Sequence, residues 1–211
     1  MGALRSSLVV ALLACGIPVA AEARPHAAPP IDASPSIVAW TAPSLLTGVF
    51  VGAVHDDLVE LQERRCGSTQ FTRFLDVPTG PDGRWHIYVS PPIGTTYRAR
   101  FRGDVSETVT VQVRPSLTIR ELGRGRFLVT ALAFKQFWRA KAVFERFSSG
   151  RWLRVKTVPL NESGKTTGTS SVTQGRFRSR LPRNALVRVL LPTSQTRPCY
   201  QAGVSNMLRT R

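Results

Sequence analysis

Apolar and polar residues alternate with a period of two along most of the chain. In residues 58–64, Val59 and Leu61 stand against Glu60 and Gln62. In residues 85–89, Trp85, Ile87 and Val89 share one side. In residues 108–113, Val109, Val111 and Val113 oppose Thr108, Thr110 and Gln112. Side chains two residues apart on extended backbone point the same way, so this pattern predicts half-buried antiparallel strands. Turn formers bound the runs: Pro81-Asp82-Gly83, Pro91-Pro92-Ile93-Gly94, Arg102-Gly103-Asp104 and Ser148-Ser149-Gly150. Short strands at this spacing predict an all-β sandwich or barrel. Only residues 130–143 carry enough Ala, Phe and Lys to suggest a helix.

An internal repeat argues against that helix. Val59-Glu60-Leu61-Gln62-Glu63-Arg64 aligns with Lys141-Ala142-Val143-Phe144-Glu145-Arg146. A small turn follows each, then an aromatic strand: Phe71-Thr72-Arg73-Phe74 in one copy and Trp152-Leu153-Arg154-Val155 in the other. Gly83-Arg84-Trp85 matches Gly175-Arg176-Phe177, and Val105-Ser106 matches Val204-Ser205. The pattern predicts two copies of one β unit meeting near Arg114-Pro115. The second copy is longer within residues 161–174, which have the composition of a mobile surface loop, and within residues 193–202, which hold Cys199.

Three stretches carry a family resemblance: Leu61-Gln62-Glu63-Arg64, Asp82-Gly83-Arg84-Trp85, and Thr95-Thr96-Tyr97-Arg98-Ala99-Arg100-Phe101-Arg102-Gly103-Asp104. They resemble the bacterial immunoglobulin-like repeats of exported proteins from GC-rich actinobacteria. The resemblance covers residues 36–113 best; in the second copy Val187 stands where the first has Tyr97. It implies seven-stranded Greek-key sandwiches, no catalytic residues, and work as a spacer or adhesive module. The expected architecture is therefore two tandem immunoglobulin-like domains, 36–114 and 115–211.

The N-terminus reads as an address. Arg5 precedes a 13-residue apolar run, 8–20, and Ala21-Glu22-Ala23 offers a peptidase site. The expectation is a signal peptide over 1–23 and a secreted or extracytoplasmic, cell-wall-associated protein. A lipoprotein-like box ending at Cys15 is the lesser alternative, with a lipid anchor there. Residues 24–35 hold four prolines and read as an extended, mobile lead-in. Beyond the N-terminus there is no apolar run of 18 residues, so no spanning helix is expected.

Charge separates the copies. Residues 31–113 carry seven Arg against nine acids, whereas residues 114–211 carry twenty basic residues against three acids, within a chain of net charge +16. Alternation places Arg176, Arg178 and Arg180 on one face, with Phe177 and Leu181 toward the core. It places Arg154 and Lys156 on one face with Trp152. If the two strands share a sheet, these five residues make a basic field that attracts an anionic envelope polymer or an acidic protein surface. Nucleic acid is not expected as the primary partner. The competing reading is an ordinary solvated face rich in Arg.

With Cys15 removed, Cys66 and Cys199 are left. In an exported chain an even count favours a disulfide. In the seven-strand order that the resemblance implies, the two lie at facing ends of the two domains, so a Cys66–Cys199 staple is expected; two free or intermolecular thiols are the alternative. No phosphate-binding Gly-rich loop, His-Glu-x-x-His motif or Cys-x-x-Cys pair occurs. His55-Asp56-Asp57 lacks a nucleophile at a meaningful spacing, His86 falls on a strand's outer side, and no cofactor is expected. Trp40, Trp85, Trp138 and Trp152 read as packing residues rather than a sugar platform. The resulting expectation is a non-enzymatic structural or adhesive protein of the cell envelope with a basic second domain. The alternative is a carbohydrate-binding accessory module using exposed aromatics.

Overall fold

The computed structural model describes residues 27–164 and 169–211. The expected signal peptide and Cys15 lie outside them. The described chain is nearly all β, with one short helix, as the two-residue period predicts. The strands before the midpoint are β1 (Ile31–Ser34), β2 (Ile37–Ala39), β3 (Ser44–Val49), β4 (Leu58–Arg65), β5 (Thr72–Pro78), β6 (Arg84–Val89), β7 (Thr95–Phe101), β8 (Asp104–Val105) and β9 (Val109–Arg114). After Pro115 come β10 (Ser116–Gly123), β11 (Arg126–Ala133), β12 (Lys141–Ser148), β13 (Arg151–Pro159), β14 (Glu162–Ser163), β15 (Ser171–Arg178), β16 (Leu186–Leu191), α1 (Thr193–Thr196), β17 (Gly203–Val204) and β18 (Leu208–Arg209).

Among the described residues no sheet mixes strands from the two halves. The first half has sheets β1-β3-β6 and β2-β9-β7-β4-β5; the second has β10-β11-β15-β14 and β13-β12-β16-β17, with β18 also on β16. Apart from the added short strands, the order is the same in both. Aromatic rings bridge the sheets: Phe50 lies 5.7 Å from Phe101 in the first half, and Phe144 lies 5.2 Å from Phe127 and 4.8 Å from Phe177 in the second. Buried side chains of both halves form one continuous cluster, so the apolar core runs through the junction. Residues 130–143 are two strands and a loop, not a helix.

Register refines the internal alignment. Gln62 lies opposite Arg98, and Glu145 lies opposite Arg188. The edge strands β5 and β13 each pair irregularly with their neighbour at the matching place, between Leu61 and Gln62 and between Phe144 and Glu145. Leu61 therefore corresponds to Phe144 and Gln62 to Glu145, one residue away from the alignment read from identity. A one-residue slip reverses every side chain, and burial agrees with the shifted pairing: Val59 and Leu61 are core, as are Ala142 and Phe144.

Two expected loops are partly ordered. The Pro-rich lead-in becomes β1 from Ile31 on, antiparallel to β3, with Ile31 buried. Pro35 follows the strand, and β1 is at the sheet's edge, where neighbouring prolines cost no ladder bond. Within residues 161–174, β14 and the start of β15 pair Glu162 with Gln174 and Ser163 with Thr173.

The halves are joined where the sequence placed the cysteines. Cys66 and Cys199 form a disulfide with Cα atoms 5.4 Å apart. Around it the Gly94 amide donates to the Cys199 carbonyl at 3.0 Å, the Gln201 amide to the Val113 carbonyl at 2.9 Å, and the Tyr200 hydroxyl to the Pro92 carbonyl at 3.2 Å. A Cβ on Gly94 would stand 2.9 Å from the Cys199 oxygen, so this approach requires glycine. A disulfide of this kind belongs to an oxidising compartment. No helix among the described residues is long and apolar enough to cross a membrane.

Two predictions follow from this junction and core. Closing a loop of 133 residues should stabilise the chain by roughly 4–5 kcal/mol. Denaturant unfolding with and without reductant measures that difference, and non-reducing peptide mapping should recover the Cys66–Cys199 fragment. Burial, assisted by the nearby Glu63 charge, raises the phenol of Tyr97 above its ordinary value; burial does the same at Tyr200. Above about pH 10 the unfolded chain loses phenolic protons that the folded chain keeps, so stability should fall there. Tyr97→Phe should flatten the alkaline limb of a melting-temperature profile.

Candidate anion-binding tip

The free end of the second half is built from three connections. They are the β10–β11 turn at residues 123–126, the β15–β16 connection at 179–185, and the residues that follow Leu208. Backbone and hydroxyl bonds join them. The Ser179 amide donates to the Gly125 carbonyl at 2.9 Å, the Asn184 amide to the Thr210 carbonyl at 2.9 Å, and the Thr210 hydroxyl to the Pro182 carbonyl at 2.7 Å. Gly125, at φ +69°, sits 2.9 Å from the Ser179 oxygen by its would-be Cβ, which is why a glycine turns the hairpin here.

This end carries the charge. Arg124, Arg126, Arg178, Arg180 and Arg211 line a cavity of about 660 Å³, with Arg183 and Arg209 on the same connections. One acidic side chain lies among them, that of Glu121. Its two oxygens accept the amides of Gly125 and Arg211, each at 3.0 Å. The other acids of this half are also taken: Glu145 accepts from Arg188, and Glu162 from Arg176, both at 2.7 Å. Among the described residues, none of the arginines lining the cavity has a carboxylate within ion-pair distance.

Arg126 and Arg178 face each other directly across β11 and β15. Like charges in such a cross-strand pair destabilise a sheet. A phosphate, sulfate or carboxylate between them would reverse the sign, since guanidinium groups bind such anions through paired N–H donors. The chemistry available at the tip is therefore anion capture by several guanidinium groups in a half-enclosed groove.

The five residues singled out from the sequence do not form one field. Their two strands belong to different sheets, β13 at the edge of one and β15 in the other. Arg178 and Arg180 reach the tip cavity. Arg176 is exposed beside it but bonded to Glu162. Val155 is an extra residue in β13, so Lys156 falls opposite Phe144 and Arg154 opposite Glu145, on opposite sides of the sheet. Lys156 reaches across the open edge to the Arg178 carbonyl at 3.3 Å, while Arg154 bonds Thr157 on the outer side. Alternation had missed Arg124, Arg126 and Arg211. The signal for the first two was the Gly-Arg-Gly-Arg turn between two alternating runs.

Exposed aromatics are dispersed. Tyr88 lies on β6, Phe74 on β5, Trp138 in the β11–β12 connection and Phe147 on β12. Phe147 and Trp152 touch with ring planes 58° apart, which is not a flat platform. His55 pairs with Asp56 at 2.9 Å on an exposed turn, and His86 is exposed on β6. Among the described residues no cluster of three His, Cys, Asp or Glu side chains is placed to hold a metal ion.

Removing one member of the opposed pair should raise stability. Arg126→Gln is expected to gain roughly 0.2–1 kcal/mol in low-salt equilibrium unfolding. The gain should shrink toward zero near 1 M salt, where screening acts within about 3 Å. No family model matches this chain, and no curated protein is similar to it.

Proposed function

We propose that this chain is a non-enzymatic, exported structural or adhesive protein of the cell envelope. It works as two immunoglobulin-like units, and the second docks on anionic polymers through its free end. The observation that carries the reading is the groove of five arginines in which the lone acidic side chain is bonded to backbone amides. A solvated face rich in Arg needs no clustering and no like-charge pair across a sheet. The disulfide supports export, since thiols outside the cytosol are the ones that stay oxidised.

Retention of the whole protein on heparin resin under a salt gradient tests this. The triple variant Arg126→Gln, Arg178→Gln and Arg180→Gln should elute at clearly lower salt, with affinity down roughly tenfold or more, as loss of several charge-assisted contacts requires. A variant with Arg73, Arg84 and Arg100 changed to Gln has the same net charge and should elute close to the parent protein. Equal losses in both would show that total charge, not the tip, governs retention.

A further inference from the structure

The outer face of the β13-β12-β16 sheet departs from its counterpart in the first half. The shifted register matches Glu60 with Val143 and Arg64 with Phe147; on the next strand, matching Arg98 with Arg188 brings Arg100 onto Leu190. Charged positions of one half are thus apolar in the other. The face has three rows. Trp152, Phe147 and Leu186 form one. Val143, Leu190 and Val204 form another, with Leu190 directly opposite both Val143 and Val204. Between them run Arg154, Glu145 and Arg188, and the Arg188 guanidinium lies 4.1 Å from the Trp152 ring centre. Phe147 and Val204 are 42% and 48% exposed. The rim is positive, with Arg154 and Arg209 on it, because Glu145 is spent on Arg188.

The first half carries the converse surface. In the connection leading into β4 and at its first residue, Val51, Val54 and Leu58 are 96%, 58% and 61% exposed; the Asp56 carboxylate is exposed among them beside His55, while Asp57 is bonded to Arg102 at 3.2 Å. This connection lies at the end of the first half away from the disulfide, so it is free in the chain. The face would not pair well with itself, because a twofold contact brings the positive rim of one copy against the positive rim of the other. A surface that is apolar and acidic fits it on both counts, and this chain carries one.

We propose that copies of this chain associate head to tail, the apolar face of the second half receiving the Val51–Val54–Leu58 turn of the next copy. Such a contact is heterologous, so each copy can bind two others, in an open chain or a closed ring. The turn offers three exposed apolar side chains where a stable complex uses roughly 20–30 residues a side, so the association is weak.

Sedimentation equilibrium of the purified protein, from about 10 µM to 1 mM, reads the contact. Average mass should rise with concentration and fall back as salt is added. Two variants dissect it. Val143→Glu with Phe147→Arg installs on the face the residues that the first half carries at the same positions; Val51→Lys with Val54→Lys alters only the exposed turn. Thermal melting checks that each stays folded. Each alone should be monomeric, with self-affinity lowered at least tenfold. Mixed, they should form a dimer and stop there, since one intact face then meets one intact turn. A wild-type protein that stays monomeric to 1 mM overturns the proposal. So does a turn variant that still dimerises alone, which would mean face-to-face pairing. The arginine triple variant at the tip should associate as the parent does, which separates this contact from polyanion binding.

Discussion

The junction at Cys66–Cys199 decides what the rest of the surface is free to do. Each half is a sandwich with two ends, and the disulfide, the Gly94–Cys199 contact and the Gln201–Val113 bond occupy one end of each. With Pro115 alone between β9 and β10, the chain has little slack there. The two outward ends are consequently different from the two that meet. One presents the 51–58 turn, and the other presents the arginine groove. A junction built at any other pair of ends would bury one of these surfaces.

The groove holds an arrangement that costs the sheet stability. Nothing in the sandwich requires Arg126 opposite Arg178, and cross-strand repulsion argues against it. Glu121 sits close enough to neutralise part of the charge. Instead its carboxylate fixes the hairpin turn through Gly125 and the chain beyond β18 through Arg211. The acid thus holds the geometry while the guanidinium groups keep their charge. Local rules broken without a structural gain are where a recognition surface is expected, because a ligand supplies the missing partner.

Much of the frame was legible because side-chain alternation reports burial directly. Val111 and Val113, Trp85 and Val89, Val59 and Leu61 are all core, as their spacing indicates. The cysteine pairing followed once the strand order was assumed. What escaped was local departure from the ideal strand. Val155 adds one residue to β13, and that single insertion separates Arg154 from Lys156 although plain alternation groups them. The same kind of irregularity beside Leu61 displaced the internal alignment by one residue. The 31–34 strand was hidden by its prolines, since composition says nothing about whether Ile31 finds a neighbouring edge. The tip was only half legible, because its arginines come from three connections far apart in sequence that only the register brings together.

The Arg188–Trp152 stack tells which cationic contacts belong to the frame. Arg98 lies 4.1 Å from the Phe71 ring centre in the first half and donates to Gln62 at 2.7 Å; Arg188 lies 4.1 Å from Trp152 and donates to Glu145 at 2.7 Å. The same guanidinium therefore does the same work in both halves, pinning the edge strand to the sheet through its ring and its neighbour. A shared feature of this kind is architectural, whatever its charge. The arginines at the tip have no such role in common between the halves, and the residues around Arg188 differ in character from those around Arg98. Where the two halves agree, packing explains the residue; where they part, at the groove and at the rows beside Arg188, packing within the described residues gives no such account.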